Sequence, residues 1–198
     1  MKQASHQLAD RTYAQLREQS RILITEELPV RYRDSVTFDD INGRAMAQLS
    51  RWEAHPDRRV MWSWQHWANR YAAIYPKRFE LAIWFHSKLC SVSLGRPTWS
   101  AGKLRLDMIE SSPEKTTLTG QTVQLTVLVA ETYADIIGAE QIRIMNPINS
   151  KVRSHYEAMG FTYVGGKSDY CVKDLLRKNE LTDLNPVLPS LTNGWVSG

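Results

Sequence analysis

The chain has 198 residues, a formal net charge of +4, 42% hydrophobic and 23% charged residues. These proportions exclude a disordered or fibrous chain, and no apolar run approaches the roughly 20 residues that cross a bilayer. The opening stretch, MKQASHQLADRTYAQLREQ, lacks the apolar core of a secretory signal, so a cytoplasmic protein without a membrane segment is expected. A helix is predicted over 6–24. There Leu8, Tyr13, Leu16 and Ile22–Leu23 recur near helical spacing, opposite Arg11, Arg17 and Glu18, and Pro29 closes the segment. A short strand at Val36–Phe38 leads to a second helix carrying Ile41, Ala45, Met46, Leu49 and Trp52, with Asp39 or Asp40 as its N-cap.

His55-Pro56-Asp57 breaks the chain, and a further helix is predicted over 59–74, ending before Pro76. Four of the seven tryptophans (Trp52, Trp62, Trp64, Trp67) crowd this region. Val60, Trp64, Trp67 and Tyr71 share one helical face, which makes most of the rings here core, and leaves Arg58, Arg59, Arg70, Lys77 and Arg78 as a basic rim. The same interleaving of basic and aromatic residues also suits stacking on nucleic-acid bases.

The period then changes. RFELAIWFHSK and LCSVSLGRP read as adjacent strands with a turn near Ser87–Lys88. KLRLDMIES alternates, with Leu104, Leu106 and Met108 facing one way and Arg105 and Asp107 the other, until Ser111, Ser112 and Pro113 end it. TVQLTVLVAETYADIIG has the length and apolarity of a buried helix stopped by Gly138. QIRIM is a short strand. NSKVRSHYEAMG is a helix whose Ile148, Val152, Tyr156 and Met159 form an apolar side, and Gly160 stops it. FTYV and DYCVKDL are closing strands.

Short hairpins imply an antiparallel early sheet, and helical crossovers a parallel or mixed later part. The expected organisation is a helical extension over 1–34, an α/β domain over 35–176, and a tail over 177–198 that carries Pro186, Pro189 and Trp195. Cys90 and Cys171 suggest free thiols, neither a disulfide framework nor a metal site.

Residues 104–161 carry a resemblance. Strand, loop, long helix and strand are followed by Asn149, by Tyr156 seven residues later, and by the ending YEAMGF. This succession resembles the GNAT N-acetyltransferase superfamily, over about residues 78–175. The resemblance implies a mixed, mostly antiparallel central sheet flanked by helices, here with an extra N-terminal helix. It implies an acyltransferase that moves an acetyl or similar group from coenzyme A to an amine, with acetyl-CoA as co-substrate. Tyr156 would give a proton to the departing thiolate, and Asn149 would bind the pantetheine arm. Simpler roles stand beside these: Asn149 as a helix cap and Tyr156 as a core aromatic.

The family's loop pattern, Gln/Arg-x-x-Gly-x-Gly/Ala, cradles the cofactor's pyrophosphate on backbone N–H groups at a helix start. In PEKTTLTGQTVQL, Gly120 fills the middle position, Thr117 stands where Gln or Arg is expected, and Thr122 takes the final small position. Thr119 and Gln121 complete the candidate cradle, and Lys115 adds charge nearby. The departure from the pattern opens a second reading, a GNAT-shaped binding module without coenzyme A. The basic, Trp-rich segment opens a third, an enzyme of this type with a nucleic-acid acceptor. An ammonium acceptor must lose a proton before attack, and Glu110 at the end of its strand is the candidate base, with Asp107 and the more distant His86 as competitors. Glu110 can equally be a solvated strand-end carboxylate.

Overall fold

The computed structural model describes residues 2–166 and 168–175; the expected tail and Trp195 lie outside them. Thirteen elements follow in order: α1 (Lys2–Glu27), α2 (Val30–Arg33), β1 (Val36–Asp39), α3 (Gly43–Glu53), α4 (Trp64–Ile74), β2 (Phe79–Phe85), β3 (Lys88–Pro97), β4 (Lys103–Ser111), α5 (Thr122–Ile136), β5 (Gln141–Met145), α6 (Ser150–Glu157), β6 (Thr162–Val164) and β7 (Tyr170–Asp174). The strands form one sheet in the order β1-β2-β3-β4-β5-β7-β6. Every neighbouring pair is antiparallel except β4 and β5. This is the expected mixed, mostly antiparallel sheet flanked by helices, with a helix ahead of it.

Two cores lie on the two faces of the sheet. One packs α5 and the end of α1 against Phe79, Leu81, Ile83, Leu104 and Leu106. The other packs α3 and α4 against Ala82, Trp84, Val92, Leu94 and Met108. α5 is apolar nearly all round because it is covered twice, by the sheet and by α1. α1 is also tied to the sheet by charge: Arg17 and Arg78 pair with Glu80, and Arg21 with Asp40. Burial pushes the Glu80 carboxyl up, against the pull of Arg78.

Several local expectations are corrected. The cap of α3 is Asn42, whose Oδ1 accepts from the Ala45 N–H; Asp39 instead accepts from Asn42 Nδ2 and from the Asp40 N–H. α4 starts at Trp64, not near 59, because Ser63 caps it and accepts from the His66 N–H. Val60 therefore stands outside the helix, whose buried face is Trp64, Ala68 and Tyr71. Arg58 and Arg78 do not belong to a rim: both guanidiniums are buried in ion pairs. Ile148 is exposed and precedes α6, so the packed side of that helix is Val152, Tyr156 and Met159.

β4 holds the irregularity that matters for function. Its register with β3 runs Leu94↔Met108 and then Gly95↔Leu106, so Asp107 is an extra, bulged residue. The bulge breaks the simple alternation. Leu104 and Leu106 join the α5 core, whereas Asp107 and Met108 both turn to the α3–α4 face. Gly95 sits opposite, where any Cβ would collide with the Arg105 carbonyl.

Candidate active site

β4 and β5 begin side by side and then part. Their parallel register ends at Leu106↔Ile144, yet β4 continues, paired only with β3, through to Ser111. β5 stops at Met145, and Asn146, with φ of 50°, sends the chain away toward α6. The gap is a cleft of about 720 Å³. Asp107, Met108, Ile109 and Ser111 line one wall, and Ile144, Met145, Asn149 and Tyr156 the other.

Tyr156 is held there by α6. Its ring packs in the core against Phe161, 6.1 Å between centroids, and the Gly160 turn at φ of 86° brings Phe161 back beneath it. Its hydroxyl makes no hydrogen bond to any described residue, and burial pushes its pKa up to about 12. It is therefore a neutral O–H at physiological pH. Asn149 is the cap of α6: its Oδ1 accepts from the Val152 N–H at 2.9 Å. The capping reading is thus realised, while the residue also lines the cleft.

The loop after β4 is organised by its backbone. The Thr116 N–H donates to Thr119 Oγ1, the Thr119 N–H to the Thr116 carbonyl, and the Gln121 N–H to the Leu118 carbonyl. Leu118 is fully buried and anchors the turn, and Gly120 takes φ of 86°. The N–H groups of Gly120, Thr122, Val123 and Gln124 are left without acceptors among the described residues, at the start of a 15-residue helix. Thr122 is buried, and its hydroxyl is spent on Ser111 Oγ at 2.8 Å. Thr117 and Thr119 are exposed, as is Lys115. What the loop offers an anion is main chain, with a glycine where a side chain would be strained.

Glu110 ends up away from solvent. Its Oε1 accepts from Arg58 Nε at 2.9 Å, and its Oε2 from Arg58 Nη2 at 3.1 Å and Trp64 Nε1 at 2.5 Å. Three of about four acceptor positions are taken. Arg58 also donates to the Trp62 carbonyl, so this carboxylate pins the whole 54–63 segment across the end of β4. Asp107 is engaged as well, accepting from Tyr71 Oη at 2.8 Å and from Arg105 Nη2 at 2.7 Å. Burial, and then the Asp107 charge, push the Tyr71 phenol well above its usual range. His86 occupies the β2–β3 turn, its ring against Phe85, and is no part of the cleft wall. Sequence reasoning missed the Arg58–Glu110–Trp64 cluster. It also missed the bulge at Asp107, whose one available signal was a glycine inside a strand pattern, at Gly95.

No family model matches the chain, and no curated protein matches it by sequence. Solved structures do. The chain is similar to Ard1 from Thermoplasma volcanium, with 10% identity, a TM-score of 0.58, and 72% of this chain and 99% of that one covered. It is similar to spermidine N-acetyltransferase SpeG from Vibrio cholerae, with 12% identity, a TM-score of 0.55, and 72% and 95% covered. It is similar also to the aminoglycoside 6'-N-acetyltransferase from Enterococcus faecium, with 12% identity, a TM-score of 0.52, and 71% and 98% covered. The fold is that of the GNAT N-acetyltransferases. No helix among the described residues is long and apolar enough to cross a membrane.

Proposed function

We propose that the protein transfers an acetyl or similar acyl group from a coenzyme A thioester to an amine. The observation that carries this reading is the unpartnered Tyr156 hydroxyl in the cleft that the parting of β4 and β5 creates. In the reaction a C–N bond forms and the C–S bond breaks. The amine gives up a proton, and the thiolate takes one from Tyr156. The phenol is neutral and so carries a proton to give, while burial makes it a weaker acid than a free tyrosine. The free N–H groups of Gly120 and the first turn of α5 would take the pyrophosphate, with Thr117, Thr119, Gln121 and Thr122 shaping the turn by backbone more than by side chain. Asn149 has its amide Nδ2 left over after capping, and that donor would meet the pantetheine arm.

Glu110 enters as a positioning residue instead of the base expected from its place in the sequence. Removing a proton needs a free lone pair directed at the amine, and three donors already occupy this carboxylate. Its part is to hold the 54–63 segment over the cleft, and the amine's proton passes to cleft water. Titration calorimetry of the protein with acetyl-CoA tests the reading; saturable binding is expected, and no heat at millimolar ligand overturns it. That negative outcome would leave the binding-module reading. A nucleic-acid acceptor would be marked by affinity that falls steeply with salt.

A further inference from the structure

Through Trp62, Asp107, Met108 and Asn146 the cleft opens into a second hollow of about 430 Å³ beneath α4. The β4 bulge builds its floor, because it turns Asp107 and Met108 to the same face. The walls carry three guanidiniums, those of Arg70, Arg96 and Arg105, against the single carboxylate of Asp107.

That carboxylate is saturated from within the protein. Its Oδ2 accepts from Tyr71 Oη, with Arg96 Nε 3.5 Å away, and its Oδ1 accepts from both Nε and Nη2 of Arg105. One cation is thereby balanced and two are not. The Nη atoms of Arg96, Nη1 of Arg105 and the whole head of Arg70 have no acceptor among the described residues. Two of these heads are held in place by rings: Arg96 lies 4.6 Å from the centroid of Tyr75, and Arg70 lies 5.7 Å from that of Trp67. Guanidiniums with free donors match a planar or tetrahedral oxyanion, and those of Arg96 and Arg105 are half-buried while Arg70 is exposed at the rim. A simple alkylammonium would meet two uncompensated positive charges there, and a polyamine more repulsion still.

We infer that this hollow binds an oxyanion, carboxylate or phosphate, carried by the acceptor amine beside an aromatic or apolar body. The inference rests on the acyl-transfer reading for the word acceptor only, since the anion site stands on the hollow itself. Docked on Arg96 and Arg105, such a molecule has its amine at the Asp107–Met108 opening, facing the wall that holds Tyr156. Decarboxylated amines of the same shape are poor ligands.

Calorimetry with phenylalanine, 2-aminoethyl phosphate and phenethylamine tests this directly. Phenylalanine or 2-aminoethyl phosphate, whichever oxyanion the site takes, is expected to bind at least about tenfold more tightly than phenethylamine. Arg96→Met with Arg105→Met should erase that preference while acetyl-CoA affinity stays, which also shows that the variant is folded. Arg70→Met, at an exposed position, should reduce the preference by a few-fold without any risk to the fold. Equal or tighter binding of phenethylamine, a preference that survives the double substitution, or no binding of either anionic probe overturns the inference. Loss of acetyl-CoA binding by the unaltered protein sinks the acyl-transfer reading instead, and leaves anion binding to be judged separately.

Discussion

Consecutive residues at the end of β4 hold opposite sides of the cleft, and hold them differently. Glu110 reaches to the α3–α4 face and fixes the 54–63 segment through charge-assisted bonds from Arg58 and an indole N–H. Ser111 reaches to the other face and meets the first residue of α5 through one neutral hydroxyl contact. The first side is built from large side chains and buried charge, the second from backbone turns and small hydroxyls. An anionic cofactor needs only N–H groups that point the right way, whereas selecting an acceptor needs particular shapes and charges. Under the proposed reaction, the difference between the two sides is a difference in what each has to recognise.

The sharpest way to break the comparison is to remove each anchor. Glu110→Ala leaves Arg58, whose side chain is 8% exposed, without its hydrogen-bonded counter-charge and with only the Glu53 charge nearby, and breaking a buried pair costs about 3–5 kcal/mol. Ser111→Ala removes one neutral hydrogen bond, a loss of about 1 kcal/mol. Urea unfolding of the two variants should show that ordering. Equal losses would mean that the 54–63 segment is not held by its carboxylate.

Next in size is the chemistry itself. Tyr156→Phe keeps the ring packing on Phe161 and removes only the proton, so turnover should fall about a hundredfold with KM for acetyl-CoA unchanged. The phenol also leaves a mark on stability. Its pKa in the fold, about 12, lies above the roughly 10 of an unfolded tyrosine, so the native state holds that proton more tightly. The stability this contributes is fully present below pH ~10 and is lost as pH rises through about 12. Tyr156→Phe should therefore lose less stability than the parent over that window, as measured by alkaline unfolding.

How much of this was legible differs between the two sides for the same reason. The fold could be read because period and punctuation carry it: the alternation in KLRLDMIES, the apolar length of α5, and Gly138 and Gly160, both at positive φ. The Asn149 and Tyr156 positions were legible because they depend on spacing along one helix. The loop looked degenerate because a motif records side chains, while what this turn presents is N–H groups that almost any sequence around Gly120 can supply. Glu110 was found but given a free carboxylate. Its partners lie 46 and 52 residues away: Trp64, read as a core ring, and Arg58, read as part of a basic rim. The excess of arginine around Asp107 was invisible because a bulge, not alternation, brings Asp107 and Met108 to one face.

Helix α6 offers an effect of intermediate size that separates two roles of one residue. Asn149→Ala removes the cap and should cost about 1 kcal/mol of stability. Asn149→Asp keeps an oxygen for the Val152 N–H and gives up the amide donor. If the amide also meets the pantetheine arm, the Asp variant keeps its stability and loses several-fold in acetyl-CoA affinity. If it serves only as a cap, affinity stays.

The smallest effects belong to the loop, and there the contrast between main chain and side chain is cleanest. Gly120 has open space where a Cβ would go, so Gly120→Ala meets no clash and suffers only the strain of φ near 86°, about 1 kcal/mol. Any relaxation toward negative φ would turn the neighbouring N–H groups out of their common direction, so acetyl-CoA affinity should drop with it. Thr117 is exposed and makes no hydrogen bond to a described residue, so Thr117→Ala should change stability by less than about 0.5 kcal/mol. Its acetyl-CoA affinity, measured by titration calorimetry, should stay within about twofold if the phosphates are met by backbone as proposed. A large loss at Thr117 with none at Gly120 would reverse the assignment, making this loop a side-chain site like the one across the cleft.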